Sequence, residues 1–333
     1  MSAPLSVAVL GFWHVHAPGY AAEAARHPDT TLTAAWDDDI TRGREGAQQV
    51  GVPFAGDLDA LLARDDIDAV IVTTSTALHH EVIAKAARAG KHIFTEKMLA
   101  PTVDACEALV REARENGVVL LVSLPRLYEA TTLAIQRILA DGILGELTYT
   151  RVRMAHNGWV TGWLPERFAD KTTAIGGALT DLGCHPVYLT QLFLGPAAST
   201  VAAVYTSTTG RGVEDNAVVT ITYPNGAIGV AEASFVTTPG AGTIEVRGTR
   251  GSLITGFGNS ALLAKGDHFD PENWTEIALP TPGATPFSRW VASIRSGTTD
   301  EQNLRAAVEL TRMIVAANAA AAGGRTVRYD RTT

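Results

Sequence analysis

The sequence is poor in cysteine, with only Cys106 and Cys184 among its 333 residues. Two cysteines so far apart exclude a disulfide framework and a cysteine-ligated metal centre, so we expect a protein of a reducing compartment, the cytoplasm, without a bound metal. The chain also lacks any uninterrupted run of eighteen apolar residues, which predicts that no helix spans a membrane. The apolar run at residues 5–10 is too short for a signal-peptide core and predicts a β-strand.

Positive charge is scarce as well. Lys and Arg number 27 against 35 Asp and Glu, a formal net charge of −8, and no basic cluster stands out. This balance disfavours nucleic acid and anionic membranes as partners. No internal repeat is present. The hydrophobic fraction of 46% and the charged fraction of 19% are ordinary for a globular protein, and the length suffices for two domains.

Residues 1–122 alternate between short apolar runs and helical patterns. Such alternation predicts a parallel sheet covered by helices on both faces, the α/β doubly wound (Rossmann) architecture that binds dinucleotides. The predicted strands are 6–10, 31–36, 69–73, 92–95 and 118–122. The predicted helices are 19–26, 42–50, 58–62, 80–89 and 103–116.

Residues 123–333 show a different pattern. A helix is predicted at 129–140 and a long closing helix at 301–322, with a run of strands between them. Asn225-Gly226, between two alternating segments, favours a hairpin. The pattern predicts an α+β domain with a large, mostly antiparallel open sheet. Because an open sheet with an apolar side needs a partner, we expect a homodimer or homotetramer. The predicted strands are 199–206, 216–223, 227–235, 242–248 and 251–255.

The first strand runs into a turn and a helix, as at a dinucleotide site, but the turn keeps one glycine of the G-x-G-x-x-G pattern, Gly11. Asp37 follows the second strand, where a carboxylate accepts hydrogen bonds from the adenosine ribose, and the acidic Asp37–Asp39 run favours NAD over NADP. The alternative is a plain tight turn, a solvated helix start and packing histidines. The candidate cofactor-binding residues here are Gly11, Phe12, Trp13, His14 and Asp37.

A carboxylate and an imidazole stand four residues apart, at Asp181 and His185, behind the glycine pair Gly176-Gly177. If this segment is one helix, both side chains share a face, so that Asp181 can orient a catalytic His185. The glycines would let a ligand approach the backbone closely. The alternative is a capping aspartate and a packed core histidine.

Taken together, these segments resemble the Gfo/Idh/MocA family of oxidoreductases. Residues 74–79 (TSTALH) are similar to the family's T-P-N-x-x-H loop. Residues 89–97 (AGKHIFTEK) match its A-G-K-H-V-x-x-E-K segment. Residues 176–185 (GGALTDLGCH) match G-G-x-x-x-D-x-G-x-H. The resemblance covers nearly the whole chain and implies an enzyme that uses NAD(P) to oxidise or reduce a CH–OH group of a sugar, polyol or cyclitol.

The resemblance implies that Lys97, Asp181 and His185 are catalytic. Lys97 would hold the substrate oxygen and stabilise negative charge on it, while His185 takes the hydroxyl proton. A surface ion pair with Glu96 is the alternative for Lys97. The resemblance adds further cofactor-binding residues: Thr74, Ser75, His79, Glu96 and Lys97.

Substrate specificity is expected from the second half, where aromatic faces beside hydrogen-bonding groups suit polyols. The candidate substrate-binding residues are Arg126, His156, Trp163, Asp181 and His185, although the aromatic ones could equally serve packing. Trp13, Met98 and Pro186 depart from the family pattern. Two other functions stay open: a transient oxidation that enables elimination or epimerisation, and a sensor of sugar or cofactor without turnover.

Overall fold

The computed structural model describes residues 3–329, which form two compact units. The first unit comprises residues up to 124 together with 172–175 and 284–311. The second comprises 125–171, 176–283 and the residues from 312 onward. The predicted boundary after residue 122 lies close to the first change of unit. The sequence did not indicate that residues 284–311 return to the first unit.

The chain up to residue 124 alternates strands and helices. In order, they are β1 (Leu5–Leu10), α1 (Ala17–Arg26), β2 (Thr30–Trp36), α2 (Ile40–Val50), α3 (Leu58–Leu62), β3 (Ala69–Val72), α4 (His79–Arg88), β4 (His92–Thr95), α5 (Val103–Glu115) and β5 (Leu120–Val122). Each predicted element is present, with ends shifted by at most two residues. Side-chain caps fix several helix starts: the carboxylate of Asp39, for example, accepts from the Arg42 amide at the start of α2.

The five strands form one parallel sheet in the order β2-β1-β3-β4-β5. All four residues of β3 are buried, as expected for a strand covered on both faces. The strand order reverses between β1 and β3, and ligands of such sheets bind at the carboxyl ends of the strands beside this switch point.

From residue 125 onward the chain forms short helices, a long run of strands and two late helices. They are α6 (Ala130–Ala140), β6 (Leu147–Ala155), α7 (Gly158–Thr161), α8 (Lys171–Ala174), α9 (Ala178–Asp181), α10 (Cys184–Leu194), β7 (Thr200–Thr206), β8 (Asn216–Thr222), β9 (Ile228–Ser234), β10 (Ala241–Gly248), β11 (Gly251–Thr255), β12 (Leu263–Gly266), β13 (Thr275–Glu276), α11 (Pro286–Ser296), α12 (Glu301–Gly323) and β14 (Val327–Arg328).

Helix α11 and the start of α12 complete the core of the first unit. Trp290 is fully buried in that core, and its indole nitrogen donates to the carbonyl of Val119. The side chain of Asn303 exchanges two hydrogen bonds with the backbone of Val122 on the edge strand β5. These contacts satisfy polar groups that an edge strand would otherwise expose. They explain why this late segment belongs with the first unit.

The second unit is built on a nine-stranded sheet in the order β13-β12-β11-β10-β6-β9-β8-β7-β14. All pairs are antiparallel except β6 with β9, which confirms the prediction of a mostly antiparallel sheet. The central strand β6 was missed. Its buried residues Thr150, Val152 and Met154 alternate with two arginines at positions 151 and 153. The two-residue period of a strand was therefore present in the sequence, but the charged residues obscured it.

One face of this sheet carries α10, whose residues Cys184–Gln191 are all buried. Large apolar side chains on other strands remain exposed, among them Val204 (66%) and Ile228 (40%). Within the described residues, no helix is both long and apolar enough to cross a bilayer, in agreement with the expectation from the sequence.

Candidate functional site

At the carboxyl end of the first sheet, the turn after β1 packs against the chain that follows β3. Gly11 has a φ of +97°, and a Cβ added there would lie 2.7 Å from the backbone nitrogen of Thr74. The Thr73 carbonyl accepts from the His14 amide, which joins the same two segments. Gly11 is therefore required both by its backbone conformation and by close approach. The two segments flank the switch point.

This turn uses its own amides in an unusual way. The Phe12 amide donates to Asp37 Oδ2 (2.6 Å), and the His16 amide donates to His14 Nδ1 (3.2 Å). The ring of Phe12 packs on Gly46 and lies in the hydrophobic core. In a glycine-rich loop such amides donate to pyrophosphate, whereas in this turn they donate to protein atoms. Trp13, also buried, lies with its ring centroid 6.3 Å from that of His14.

Asp37 is buried at the end of β2 and accepts four hydrogen bonds. Besides the Phe12 amide, its donors are the Asp39 amide and a two-pronged guanidinium, that of Arg42 (Nε to Oδ2, 3.0 Å). The carboxylate lies where a ribose-binding acid is expected, and a cation stands directly beside it. Arg42 was not among the residues predicted for this site, although a basic residue five positions after the acid could have indicated a partner for Asp37.

Beside the switch point, three buried polar atoms have no hydrogen-bond partner within residues 3–329: Thr74 Oγ1, Ser75 Oγ and His79 Nε2. Each belongs to a side chain that is at least 98% buried. His79 Nδ1 lies 2.7 Å from the Met98 carbonyl and therefore donates to it, and burial lowers the pKa of this histidine. Buried polar atoms without partners are rare and indicate a ligand. The chemistry of these three side chains fits a dinucleotide, which carries many donors and acceptors of its own.

Glu96 is the centre of a hydrogen-bond network after β4. Its Oε1 accepts hydrogen bonds from the imidazole of His16 (2.6 Å) and from the hydroxyl of Tyr20. Its Oε2 accepts a hydrogen bond from the backbone amide of Lys97 (2.9 Å). Burial alone would raise the pKa of Glu96, but His14, His16 and Lys97 outweigh it and hold that pKa well below its usual range. The carboxylate therefore fixes the backbone next to Lys97.

Ligand atoms of His14, His16 and Glu96 all lie within 4.8 Å of one another, which is close enough to consider a cation. Both oxygens of Glu96, however, already accept hydrogen bonds. The geometry is that of a hydrogen-bonded network, and the absence of a metal stays a prediction.

Lys97 directly follows this carboxylate, and its side chain is 95% buried. Lysine is almost never so buried unless it is paired or functional. The position matches the expectation of an ammonium at the carboxyl edge of the sheet. At the opposite end of β4, Lys91 is also buried, but its Nζ donates to the carbonyls of Arg64 and Ile67 (both 2.8 Å), a structural role.

In the second unit, Asp181 and His185 lie on consecutive helices and not on one continuous helix. Asp181 ends α9, and His185 is the second residue of α10. The interruption at Leu182 and Gly183 allows Pro186 to occupy the first turn of α10, where a missing amide costs no hydrogen bond. The condition that the segment forms one helix is therefore not met.

The glycine pair before Asp181 approaches protein and not an open surface. A Cβ on Gly177 would lie 2.0 Å from the carbonyl oxygen of Glu214, and one on Gly176 would lie 2.2 Å from Thr180 Oγ1. The amides of Gly177 and Leu179 both donate to Glu214 Oε1. These glycines let the segment pack against Glu214, which differs from the expectation that they admit a ligand.

His185 is 93% buried, and its Nδ1 lies 3.0 Å from the hydroxyl of Tyr188. The Tyr188 oxygen also accepts from the Arg126 amide (3.1 Å), and burial raises the pKa of this tyrosine well above its usual value. Tyr188 therefore stays protonated and orients the imidazole. Tyr188 was not among the residues predicted for the site, although this tyrosine follows His185 by three residues, a helical spacing.

Two of the candidate substrate residues, Arg126 and His156, line a cavity of about 900 Å³ in the second unit. Arg126 forms an ion pair with Glu129, another lining residue. The imidazole of His156 stacks on Phe235 at 5.0 Å and contacts the half-exposed ring of Trp163 at 4.7 Å. Leu182, next to Asp181, also lines the cavity.

Two profiles of one family match the chain. Residues 5–124 match the family described as an oxidoreductase family with an NAD-binding Rossmann fold. Residues 132–254 match the GFO/IDH/MocA C-terminal domain. The chain belongs to the Gfo/Idh/MocA oxidoreductase family. This confirms the resemblance drawn from the sequence and the Rossmann assignment of the first unit.

Individual members of the Gfo/Idh/MocA family are moderately similar. A dTDP-3,4-didehydro-2,6-dideoxy-alpha-D-glucose 3-reductase of Streptomyces antibioticus is 32% identical over 63% of this chain and 62% of its own length. In two further 3-reductases of this description the match spans 54% and 59% of their length. A D-glucoside 3-dehydrogenase of Escherichia coli K12 is 28% identical, over 70% of this chain and 71% of that protein.

Among solved structures, GenD2 from gentamicin A biosynthesis, in complex with NAD, aligns with a TM-score of 0.84. It is 28% identical, and the alignment covers 99% of this chain and 97% of that structure. The chain thus shares its fold with a solved structure that contains NAD.

Proposed function

We propose that the protein is an NAD-dependent oxidoreductase acting on a CH–OH group of a sugar, polyol or cyclitol. The observation that carries the proposal is the buried side chain of Lys97 at the carboxyl edge of the first sheet, where the Lys97 backbone amide donates to Glu96. Relatives support the class, because the 3-reductases and the D-glucoside 3-dehydrogenase interconvert alcohol and carbonyl groups of sugars. A small-molecule substrate in the cytoplasm accords with the low cysteine content and with the acidic charge.

In this proposal Lys97, Asp181 and His185 are catalytic. Lys97 donates to the substrate oxygen and stabilises negative charge on it. His185, oriented by Tyr188, removes the hydroxyl proton. The tautomer that donates from Nδ1 to Tyr188 presents an unprotonated Nε2, the form that a general base requires. Asp181 binds a neighbouring hydroxyl or fixes the imidazole. Nicotinamide, when bound, accepts the hydride from the carbon.

We propose NAD in preference to NADP. The carboxylate of Asp37 lies at the end of β2, and Asp38 is close enough to share Arg42 with it. An acidic surface at this point repels a 2′-phosphate. Arg42, neutralised by two carboxylates, is not available to bind one as long as Asp37 is present.

The test is NAD reduction with a panel of sugars, polyols and inositols, measured by absorbance of reduced nicotinamide. Lys97→Ala and His185→Ala should each lower kcat by about 10²–10⁴, the usual contribution of acid–base catalysis. The double variant should cost less than the product of the single effects if both residues act in one step. Lys91→Ala is the matched control, because it removes a buried lysine from the opposite end of β4.

The alternatives give different results. If the two catalytic variants turn over as well as the parent protein, the assigned roles are wrong. Substrate consumption without accumulation of reduced nicotinamide would indicate transient oxidation with regeneration of the cofactor. Binding of NAD with no conversion of any sugar would indicate a sensor.

We also propose that two copies associate through the uncovered face of the second sheet. Exposed Val204, Val218 and Ile228 lie there, and Val218 is the strand partner of Glu232, which pairs with Arg151. A second copy would cover both the apolar residues and the ion pairs. Sedimentation should give a dimer or tetramer at micromolar concentration, and Val204→Lys should weaken it; a monomer would refute the proposal.

A further inference from the structure

The cavity in the second unit is larger than one sugar needs. It measures about 900 Å³, near the upper end of the range of about 300–1,000 Å³ for sites that bind drug-sized molecules. A hexose has about a dozen non-hydrogen atoms, and even at ~30 Å³ each, the share of a water molecule in the liquid, it fills only ~360 Å³. More than half of the cavity therefore remains for another group of the substrate.

The cavity lies on the helix-covered face of the nine-stranded sheet. In the strand register Gly242 faces Met154, and Ile244 faces both Val152 and Thr255. Val152 is fully buried on the side where α10 packs against β6. The cavity thus shares its face with the helix that carries His185, and Leu182 brings its wall next to Asp181.

Gly242 leaves room for a ligand. Of the five strand glycines that the structure describes in the second unit, Gly242 alone has no heavy atom within 4 Å of an added Cβ. At Gly229, by contrast, a Thr190 methyl group would lie at 2.5 Å. Glycine inside a strand weakens the strand and often marks the close approach of a ligand or another backbone. The Gly256 backbone approaches the carbonyl of Gly242, but the space on the Cβ side of Gly242 is open and can hold part of a ligand.

The walls expose both apolar and polar groups, the apolar ones in excess, and carry little net charge. Arg126 is the sole Lys or Arg among the lining residues and is paired with Glu129, the sole Asp or Glu. The remaining polar lining includes Thr131, Thr243, Thr255, Asn259 and Ser260, with His156 at one side. A nucleoside diphosphate would require cations free to pair with its phosphates. Hydroxyl and amide groups instead suit the hydroxyls of an uncharged sugar.

We propose that this cavity is a subsite for a second, uncharged group of a glycoside, a further sugar or a neutral aglycone, joined to the ring that reacts. The inference rests on the proposed function for the reacting ring. It separates this protein from relatives described as acting on dTDP-sugars, because the one cation in the cavity lining, Arg126, is already paired with Glu129.

The test compares substrates of increasing size. Turnover with NAD, and binding by calorimetry in the presence of NAD, are measured for glucose, for the disaccharides maltose, cellobiose, sucrose and trehalose, for p-nitrophenyl glucoside, and for dTDP-glucose. At least one neutral disaccharide or aryl glycoside should exceed glucose and dTDP-glucose at least tenfold in kcat/KM or affinity.

Gly242→Leu places a bulky side chain in the cavity, and its Cβ meets no atom within 4 Å. It should reduce the ratio of glycoside to glucose, in kcat/KM or affinity, at least tenfold, whereas Gly242→Ala should change it less. Gly56→Leu is the matched control, because Gly56 is an exposed glycine with open space in the first unit. Circular dichroism and the NAD dissociation constant verify that the variants are folded.

Each outcome decides one of the two proposals. Equal use of glucose and larger glycosides, a preference for dTDP-glucose, binding of no glycoside at all, or a Gly242→Leu effect equal for all substrates would overturn the subsite. Size-dependent binding that Gly242→Leu abolishes, without turnover of any compound, would support the subsite and overturn the oxidoreductase function. The failures of the two proposals are therefore distinguishable.

Discussion

At the carboxyl edge of the first sheet, charged groups are buried and held by several hydrogen bonds each, whereas the helix-covered face of the second sheet leaves an open, nearly neutral cavity. Glu96 accepts from three donors and Asp37 from four. The cavity in the second unit has a single ion pair, between half-exposed Arg126 and Glu129. A cofactor shared by a whole family permits such a fixed environment, while a substrate that differs between members favours an open one.

The two units should differ most in how much free energy of unfolding is lost when one carboxylate of each is neutralised. Glu96→Gln removes the charge around which His16, Tyr20 and the Lys97 amide are arranged, so we expect a loss of about 3–5 kcal/mol in the free energy of unfolding, the cost typical of breaking a buried pair. Urea denaturation measures the loss. NAD affinity should fall as well, because His16 in the turn before α1 loses its hydrogen bond to a carboxylate.

Glu232→Gln is the matched control in the second unit. Glu232 pairs with Arg151 on the surface of the sheet, where both side chains retain solvent contact. Such pairs contribute about 0–1 kcal/mol. Similar losses for the two variants would show that the two regions do not differ in the way described.

Two glycines provide the next comparison. Gly11→Ala places a Cβ 2.7 Å from the Thr74 backbone in a residue with a φ of +97°, and we expect a cost of about 2–4 kcal/mol from strain and displacement. Gly242→Ala meets no neighbour and should change the stability by under about 1 kcal/mol, if anything favourably, because alanine restricts the unfolded chain. Thermal and urea unfolding of both variants test this, and a stable Gly11→Ala protein that binds NAD normally would contradict it.

The same contrast explains what the sequence could predict. The motifs around Gly11, Asp37, residues 74–79 and Glu96-Lys97 are contiguous and follow predicted strands, so the strand pattern together with the family resemblance could identify them from the sequence. The bonds made by Arg42 and Tyr188 depend on side-chain geometry across a turn or along a helix. Their spacings of five and three residues were usable signals, but no motif contains them.

The second unit was harder to predict for a physical reason. Strand β6 is central, yet Arg151 and Arg153 alternate with its buried residues because one face of the sheet is uncovered. The start of α9 depends on Gly177 packing against the carbonyl of Glu214, a contact between residues 37 positions apart. The cavity likewise depends on the register of β10 with β6, which a single sequence does not reveal.

Coenzyme choice sharpens the comparison within the first unit. Asp37→Ser removes the carboxylate that neutralises Arg42, so that the guanidinium can bind a 2′-phosphate. The ratio of NADP to NAD affinity should increase about 10–100-fold, equivalent to about 1.4–2.8 kcal/mol. Fluorescence titration with the reduced coenzymes measures this ratio without knowledge of the substrate.

The second substitution Arg42→Gln controls for this effect. Added to Asp37→Ser, it should abolish the gain in NADP affinity. If Asp37→Ser leaves the ratio unchanged, or if the gain survives without Arg42, another group selects the coenzyme.

The smallest effect on stability should come from lowering the pH. The folded-state pKa of Glu96 lies below its ordinary value of 4.5. Its contribution to stability is therefore complete above pH 4.5 and is lost as the pH falls toward the folded-state pKa. Burial raises the pKa of Glu214 in the second unit above the same value. Ionised Glu214 is thus unfavourable in the folded protein, and acidification from neutral pH to 4.5 should stabilise the fold through this residue.

Glu214→Gln isolates that contribution, because an amide oxygen can still accept from the Gly177 and Leu179 amides. The variant should gain less stability than the parent protein between pH 7 and pH 4.5, while its loss below pH 4.5, which Glu96 governs, should persist. Urea midpoints at pH 7, 6, 5 and 4 resolve the two windows. A parent and variant with the same pH dependence above 4.5 would mean that the Glu214 carboxylate is solvated well enough to stay ionised at no cost, and the two buried glutamates would then not differ in sign.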